Sequence, residues 1–335
     1  MRPRAVPPPG DFARNRHRAD PAPEVGTGPG FHIGTAAPRR VGLIVSNRAV
    51  DRSVCDRANS STGSVWRVSA TAEPPPTHVR AAFGAPGEDV ELLEGGLAWR
   101  CGADGDVLIK PATDTAEAAW VAQALDTLDP EETRVARPLR STDGRWVVSG
   151  WSACRDMAGR PEPRHDEVIA MSLRLHSASS VLDRPRMVDS RQDIYAIADR
   201  MAWGETYVSL SPEKGGRLFD VLAASRRSVS LRPQVVHGDL FGNVLFSGNA
   251  PPGLIDFVPY WRPPEWAAAV VVIDAMAWGG SDPAIVERWS HLSEWPQMLL
   301  RALLFRLALH ALHPRATTTS LGGLETASQT VLEVL

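Results

Sequence analysis

The segment VVHGDLFGNVLF, Val235 to Phe246, sets a His, an Asp and an Asn within seven residues, between two apolar runs. A second carboxylate, Asp256, closes the run GLID ten residues after VVHGDLFGNVLF ends. Short β-branched and apolar runs bounded by Gly, Asn and Pro read as strands, and SGNAPP between VLF and GLIDF reads as the turn of a hairpin. Strand ends can present polar side chains rigidly to a cleft, and a hairpin here brings Asn243 and Asp256 together. One carboxylate and one amide oxygen suit Mg²⁺, which leaves room for water and phosphate oxygens to complete its shell. Asp239 stands apart from that pair, free to accept or orient a hydroxyl proton.

The surrounding chain must supply the mount. Residues 1–76 are rich in Pro and Arg, with one short apolar patch, VGLIV at 41–45. Such a stretch cannot bury enough apolar surface to offset its ordering entropy and reads as a disordered extension. From Thr77 the texture changes. THVRAAFG predicts a short helix stopped by Gly84. ELLEGGLAWRCG predicts a strand, a Gly-Gly turn and a returning strand, and DVLIKPA a third strand. Thr115 to Leu128 carries apolar residues at helical spacing, and VARPLRSTDGRWVVSGWSA reads as two strands around an STDG turn. Past Gly159 the periodicity is mostly helical: Asp166 to Ser179, Arg191 to Met201, Arg217 to Ser225, and Trp289 to Leu312. Ala267 to Ala277 reads as a buried helix, and His176 in LRLHSAS as a packed or capping residue.

Composition narrows the functional class. Of the 335 residues 43% are hydrophobic, enough for a sizeable core, and the net charge of -3 provides no bulk field to collect nucleic acid or an anionic membrane. Three widely spaced cysteines show no CxxC pattern, so neither a disulfide framework nor a structural zinc site is indicated. No apolar run approaches the roughly 18 residues of a spanning helix, and the amino terminus carries no apolar signal core. A cytoplasmic location without membrane or nucleic-acid partners is the expectation. Only two of the 36 basic residues are lysines, Lys110 and Lys214. A chain that uses Arg almost everywhere has kept an ammonium in VLIKP, and Arg does not simply replace a compact point charge.

HGDLFGN followed by LIDF resembles the catalytic and metal motifs of the aminoglycoside phosphotransferase and choline kinase-like family, relatives of the protein kinases with their H-R-D-x-x-x-x-N and D-F-G motifs. The resemblance extends from about Thr77 to the carboxyl terminus, and DFVPYWRPPEW is similar to an uncharacterised actinobacterial branch of that family. It implies a bilobal α+β protein kinase-like fold, with a nucleotide-binding lobe at 77–154 and a helical catalytic and acceptor-binding lobe at 155–335. It also implies ATP and Mg²⁺ as cofactors and a small-molecule hydroxyl as acceptor of the γ-phosphoryl group. Carried over by residue, Asp239 positions or deprotonates the acceptor, His237 braces its loop, and Asn243 and Asp256 hold the metal. Lys110 contacts the phosphates with Glu117 as its ion-pair partner, and Gly95 and Gly96 let backbone amides approach them. Three residues separate Asp239 from Asn243 where the kinase motif has four, GGLAW is thinner than G-x-G-x-x-G, and no Gly follows Asp256-Phe257. A nucleotide-binding module without transfer activity is the alternative that these departures keep open.

Overall fold

The computed structural model describes residues 73–93 and 98–335, all within one compact unit. The extension up to residue 72 and the Gly95–Gly96 turn lie outside the described residues. The first part is a six-stranded antiparallel sheet. Strands β1 (Val90–Leu92), β2 (Trp99–Cys101) and β3 (Val107–Pro111) follow in order. The sheet continues through β7 (Trp151–Arg155) to β5 (Pro138–Leu139), and β6 (Val147–Val148) also pairs with β7. Its Cys101, Val107 and Ile109 form a small core with Val79 and Phe83 of helix Thr77–Ala82. Helix Thr115–Thr127 starts where Asp114 accepts hydrogen bonds from the backbone N–H groups of Ala116 and Glu117 at 2.9 and 3.0 Å.

The stretch after Pro130 departs from the expected pair of strands. Arg134–Val135, β4, leaves for a second sheet, where it runs parallel to β10 (Ala250–Leu254), itself antiparallel to β9 (Val244–Ser247). The chain turns sharply between β6 and β7 at Ser149 and Gly150, φ 49° and 78°, the left-handed pair that a two-residue hairpin requires. The run VVHG forms β8 (Gln234–His237), and its partner is PYWR, β11 (Pro259–Arg262), a Pro-flanked segment without strand patterning of its own. Pro259 is the first residue of the strand, opposite His237, and Pro263 lies just past its end, so neither interrupts the ladder between them.

Helices supply the rest. Pro264–Ala277 is buried all round from Trp266 to Ala275, as a run that is apolar there except for Asp274 requires. It packs against His165–Ser179, Trp295–Leu312 and Thr318–Glu333. Helix Ile194–Trp203 begins three residues later than the periodicity suggests, because Asp193 caps it. The helix expected from Trp289 begins only at Trp295 and runs to Leu312: the short helix Ile285–Arg288 ends just before Trp289, Glu294 adopts φ 50°, and Pro296 lies in the first turn of the long helix. Among the described residues no helix is long and apolar enough to cross a membrane.

Candidate active site

The loop from His237 to Asn243 is held from behind. β8 delivers His237 fully buried, and its ring is committed at both nitrogens. Nδ1 accepts from the backbone N–H of Asp239 at 3.0 Å, so the proton sits on Nε2, which donates to the carbonyl of Asp256 at 2.7 Å. One imidazole therefore ties the loop to the end of the hairpin. His176 does the same one layer deeper: its Nε2 accepts from the His237 backbone N–H at 2.9 Å and its Nδ1 faces Ser172 Oγ at 3.2 Å. Burial pushes His237 below the ordinary imidazole range against the pull of Asp239 and Asp256, and pushes His176 down to about 3, with His237 adding to the effect. Both rings are neutral struts, and His237 braces the loop without facing the cleft.

Two glycines make the loop's path feasible. A Cβ on Gly238 would lie 2.4 Å from the Tyr260 ring and 3.2 Å from Trp266, so β11 and the buried helix after it dictate His-Gly-Asp. Gly242, at φ 86°, closes the short turn from Asp239 to Asn243. The Asn243 N–H donates to the Leu240 carbonyl at 3.0 Å, and its side-chain Nδ2 to the Asp239 carbonyl at 2.7 Å. That commits the amide nitrogen and leaves Oδ1 as an acceptor on the cleft. The expected hairpin is present: Val244 faces Leu254, and the Ile255 N–H donates to the Asn243 carbonyl at 3.1 Å. Asn243 and Asp256 are thus neighbours despite the shortened loop.

Lys110, on β3, reaches Asp256 Oδ1 at 2.7 Å, joining residues 146 positions apart. Partial desolvation in the cleft works against the ionised Asp256, whose side chain stays 44% exposed, but the Lys110 ammonium, with help from His237 and the Phe257 N–H, holds the carboxyl below the usual range. Glu117 is buried on helix Thr115–Thr127 and faces the Arg191 guanidinium at 3.9 Å. Lys110, Glu117, Asp239, Asn243 and Asp256 all line one cleft of about 910 Å³, whose walls include Leu108, Ala136, Met157 and Ile255.

Sequence reasoning missed the residue that holds Asp239. Arg306 of helix Trp295–Leu312 is 2% exposed and donates from Nη2 to Asp239 Oδ1 at 2.7 Å. Its Nε donates to Asp274 Oδ1 at 2.7 Å, and Nη2 also contacts Asp274 Oδ2. Burial alone would make Arg306 easier to deprotonate; the two carboxylates more than offset that. Each of these charges stands alone in an apolar helical run, VVVIDAMA and LLFRLALH. That is the signal available in sequence, since a buried charge must be paired.

Residues 104–260 match the model of the phosphotransferase enzyme family. No curated protein matches the chain. Among solved structures, an aminoglycoside phosphotransferase from Alicyclobacillus acidocaldarius is 15% identical with a TM-score of 0.53, covering 79% of this chain and 96% of that one. The amicoumacin kinase hAmiN in complex with AMP-PNP, Ca²⁺ and Ami is 14% identical with a TM-score of 0.49, over 76% of this chain and 92% of its own. A thermostable aminoglycoside phosphotransferase mutant in ternary complex with ADP and hygromycin B is 14% identical with a TM-score of 0.48, over 76% and 97%. The first likeness carries the fold, which is bilobal, α+β and protein kinase-like.

Proposed function

We propose that this chain, a phosphotransferase-family enzyme over residues 104–260, transfers the γ-phosphoryl group of ATP to a hydroxyl of a small molecule. The observation that carries the reading is the Lys110–Asp256 contact, which brings an ammonium and a carboxylate from distant segments into the cleft that Asp239 and Asn243 line. In this reading residues 77–154 serve the nucleotide and residues 155–335 the chemistry and the acceptor.

The donor set suits Mg²⁺. Asn243 Oδ1 and the second oxygen of Asp256 are hard ligands on neighbouring strand ends. Among the described residues no cluster of three His, Cys, Asp or Glu could hold a metal unaided. An ion that takes one or two protein oxygens and completes its shell from phosphates fits such a site. When bound, Mg²⁺ would neutralise phosphate charge during transfer.

The chain's own residues do the positioning. Lys110 offers its ammonium to the phosphates. Asp239 Oδ2 is buried without a hydrogen-bond partner, the one atom of this carboxylate left for the acceptor. It takes the hydroxyl proton as the acceptor oxygen bonds to the γ-phosphorus, and the bond to the bridging oxygen breaks with its electron pair remaining on ADP. Asn243 holds the backbone of Asp239 in place, and His237 keeps that loop and Asp256 at a fixed separation. Catalysis is then mainly alignment and charge neutralisation.

Asp239→Ala should lower acceptor-dependent ATP consumption by at least about 1000-fold while changing ATP affinity little. Undiminished turnover in that variant would remove the assignment. A wild-type chain that binds Mg²⁺-ATP, with no turnover against a broad panel of hydroxyl compounds, would favour the non-transferring module.

A further inference from the structure

We infer that Arg306 is a positioning residue for phosphoryl transfer: its guanidinium holds Asp239 Oδ1 so that Oδ2 is the oxygen presented to the acceptor hydroxyl. This rests on the phosphotransferase reading of Asp239 given above. The Asp239 side chain is 7% exposed, and its two oxygens have opposite fates. Oδ1 accepts from Arg306 Nη2 at 2.7 Å, and Oδ2 is buried with no hydrogen-bond partner. A buried carboxylate with no counter-charge would be expected to protonate or to swing toward a donor.

Arg306 is itself immobilised. Asp274, from helix Pro264–Ala277, grips it through Nε and Nη2, and both side chains are 1% exposed. The guanidinium therefore cannot follow Asp239 if the loop moves; the loop must conform to it. An Arg306–Asp274 pair alone would already satisfy both helices. The additional reach of Nη2 to Asp239 links that rigid pair to the loop of the site.

The test uses the full chain with Mg²⁺-ATP and water as the acceptor. Arg306→Met should lower ATP hydrolysis about 100-fold, the size of effect produced by misplacing a reacting group by about 1 Å. KM for ATP should stay within about threefold of wild type, because the nucleotide residues are untouched. Added to Asp239→Asn, the same substitution should cost nothing further, since Arg306 acts through that carboxylate. Hydrolysis within about twofold of wild type in Arg306→Met, or losses that multiply in the double variant, would overturn the inference.

Because Arg306→Met removes the guanidinium from beside Asp274, the paired variant Arg306→Met/Asp274→Leu repeats the measurement with the buried pair replaced by apolar side chains. Arg306→Lys, which keeps the charge, should recover part of the lost rate. A wild type that hydrolyses no ATP rules out only water as an acceptor, and the phosphotransferase reading is then judged on the panel of hydroxyl compounds. The crystal structure of the paired variant still decides the inference: Asp239 is expected to turn from its present direction, and an unmoved carboxylate would overturn it.

Discussion

Two ion-paired groups face the same cleft and differ in almost every physical respect. Lys110 and Asp256 meet across the gap between the sheet and the helical part, with side chains 39% and 44% exposed. Arg306, Asp274 and Asp239 lie within the helical part, with side chains at most 7% exposed. Water screens the first pair, so it contributes little to the fold and can be exchanged for a ligand's charges at small cost. The second is desolvated, and losing any member leaves an uncompensated charge in the interior. The contrast separates labour within one site: an exchangeable pair where nucleotide phosphates and metal would enter, and a fixed one where the acceptor must be aligned.

That contrast can be broken most directly through stability. Asp274→Ala should destabilise the fold by about 3–5 kcal/mol in a chemical denaturation series, whereas Lys110→Met should cost no more than about 1 kcal/mol. Equal losses would mean that the two groups do not differ as their burial implies. Ligand response sharpens the other side. Asp256→Ala should abolish the stabilisation by Mg²⁺-ATP in a thermal shift measurement, and EDTA should do the same to the wild type. A shift of about 2.7 kcal/mol in the wild type at a hundredfold excess over Kd sets the scale of what is lost.

A smaller effect concerns acid. The folded-state pKa of His176 lies at about 3, below that of an unfolded histidine near 6.5. The unfolded chain therefore binds the proton first, so this contribution is fully present above about pH 6.5 and is lost as pH falls towards 3. His237 is lowered in the same direction. The denaturation midpoint should fall between pH 7 and pH 4, and His176→Gln, which does not titrate, should flatten part of that slope. An unchanged slope in the variant would assign the acid response to other groups.

Much of the site was readable because its chemistry is local. His237, Asp239 and Asn243 sit in one loop, and the hairpin that brings up Asp256 announces itself by its apolar runs and its Gly- and Pro-containing turn. Lys110 was readable for a different reason, the scarcity of lysine in an arginine-rich chain. Neither signal reaches β11, whose strand character comes from pairing with β8 and not from any pattern in PYWR. The break before Trp295 was also hidden, because the apolar spacing runs on through the residues where Glu294 turns the chain. The resemblance at family level is borne out by the match over residues 104–260.

By itself the sequence determined which residues could do chemistry and which segments would hold them, since side-chain type and short-range periodicity are properties of neighbours along the chain. Tertiary structure alone decided which oxygen of Asp239 remains available, because Arg306 lies 67 residues away and Asp274 stands between them, 32 residues before Arg306. An apolar helix with one buried charge states only that a partner must exist. Which partner it finds is set by how helices Pro264–Ala277 and Trp295–Leu312 pack against the loop, since that packing alone brings the charges within contact distance.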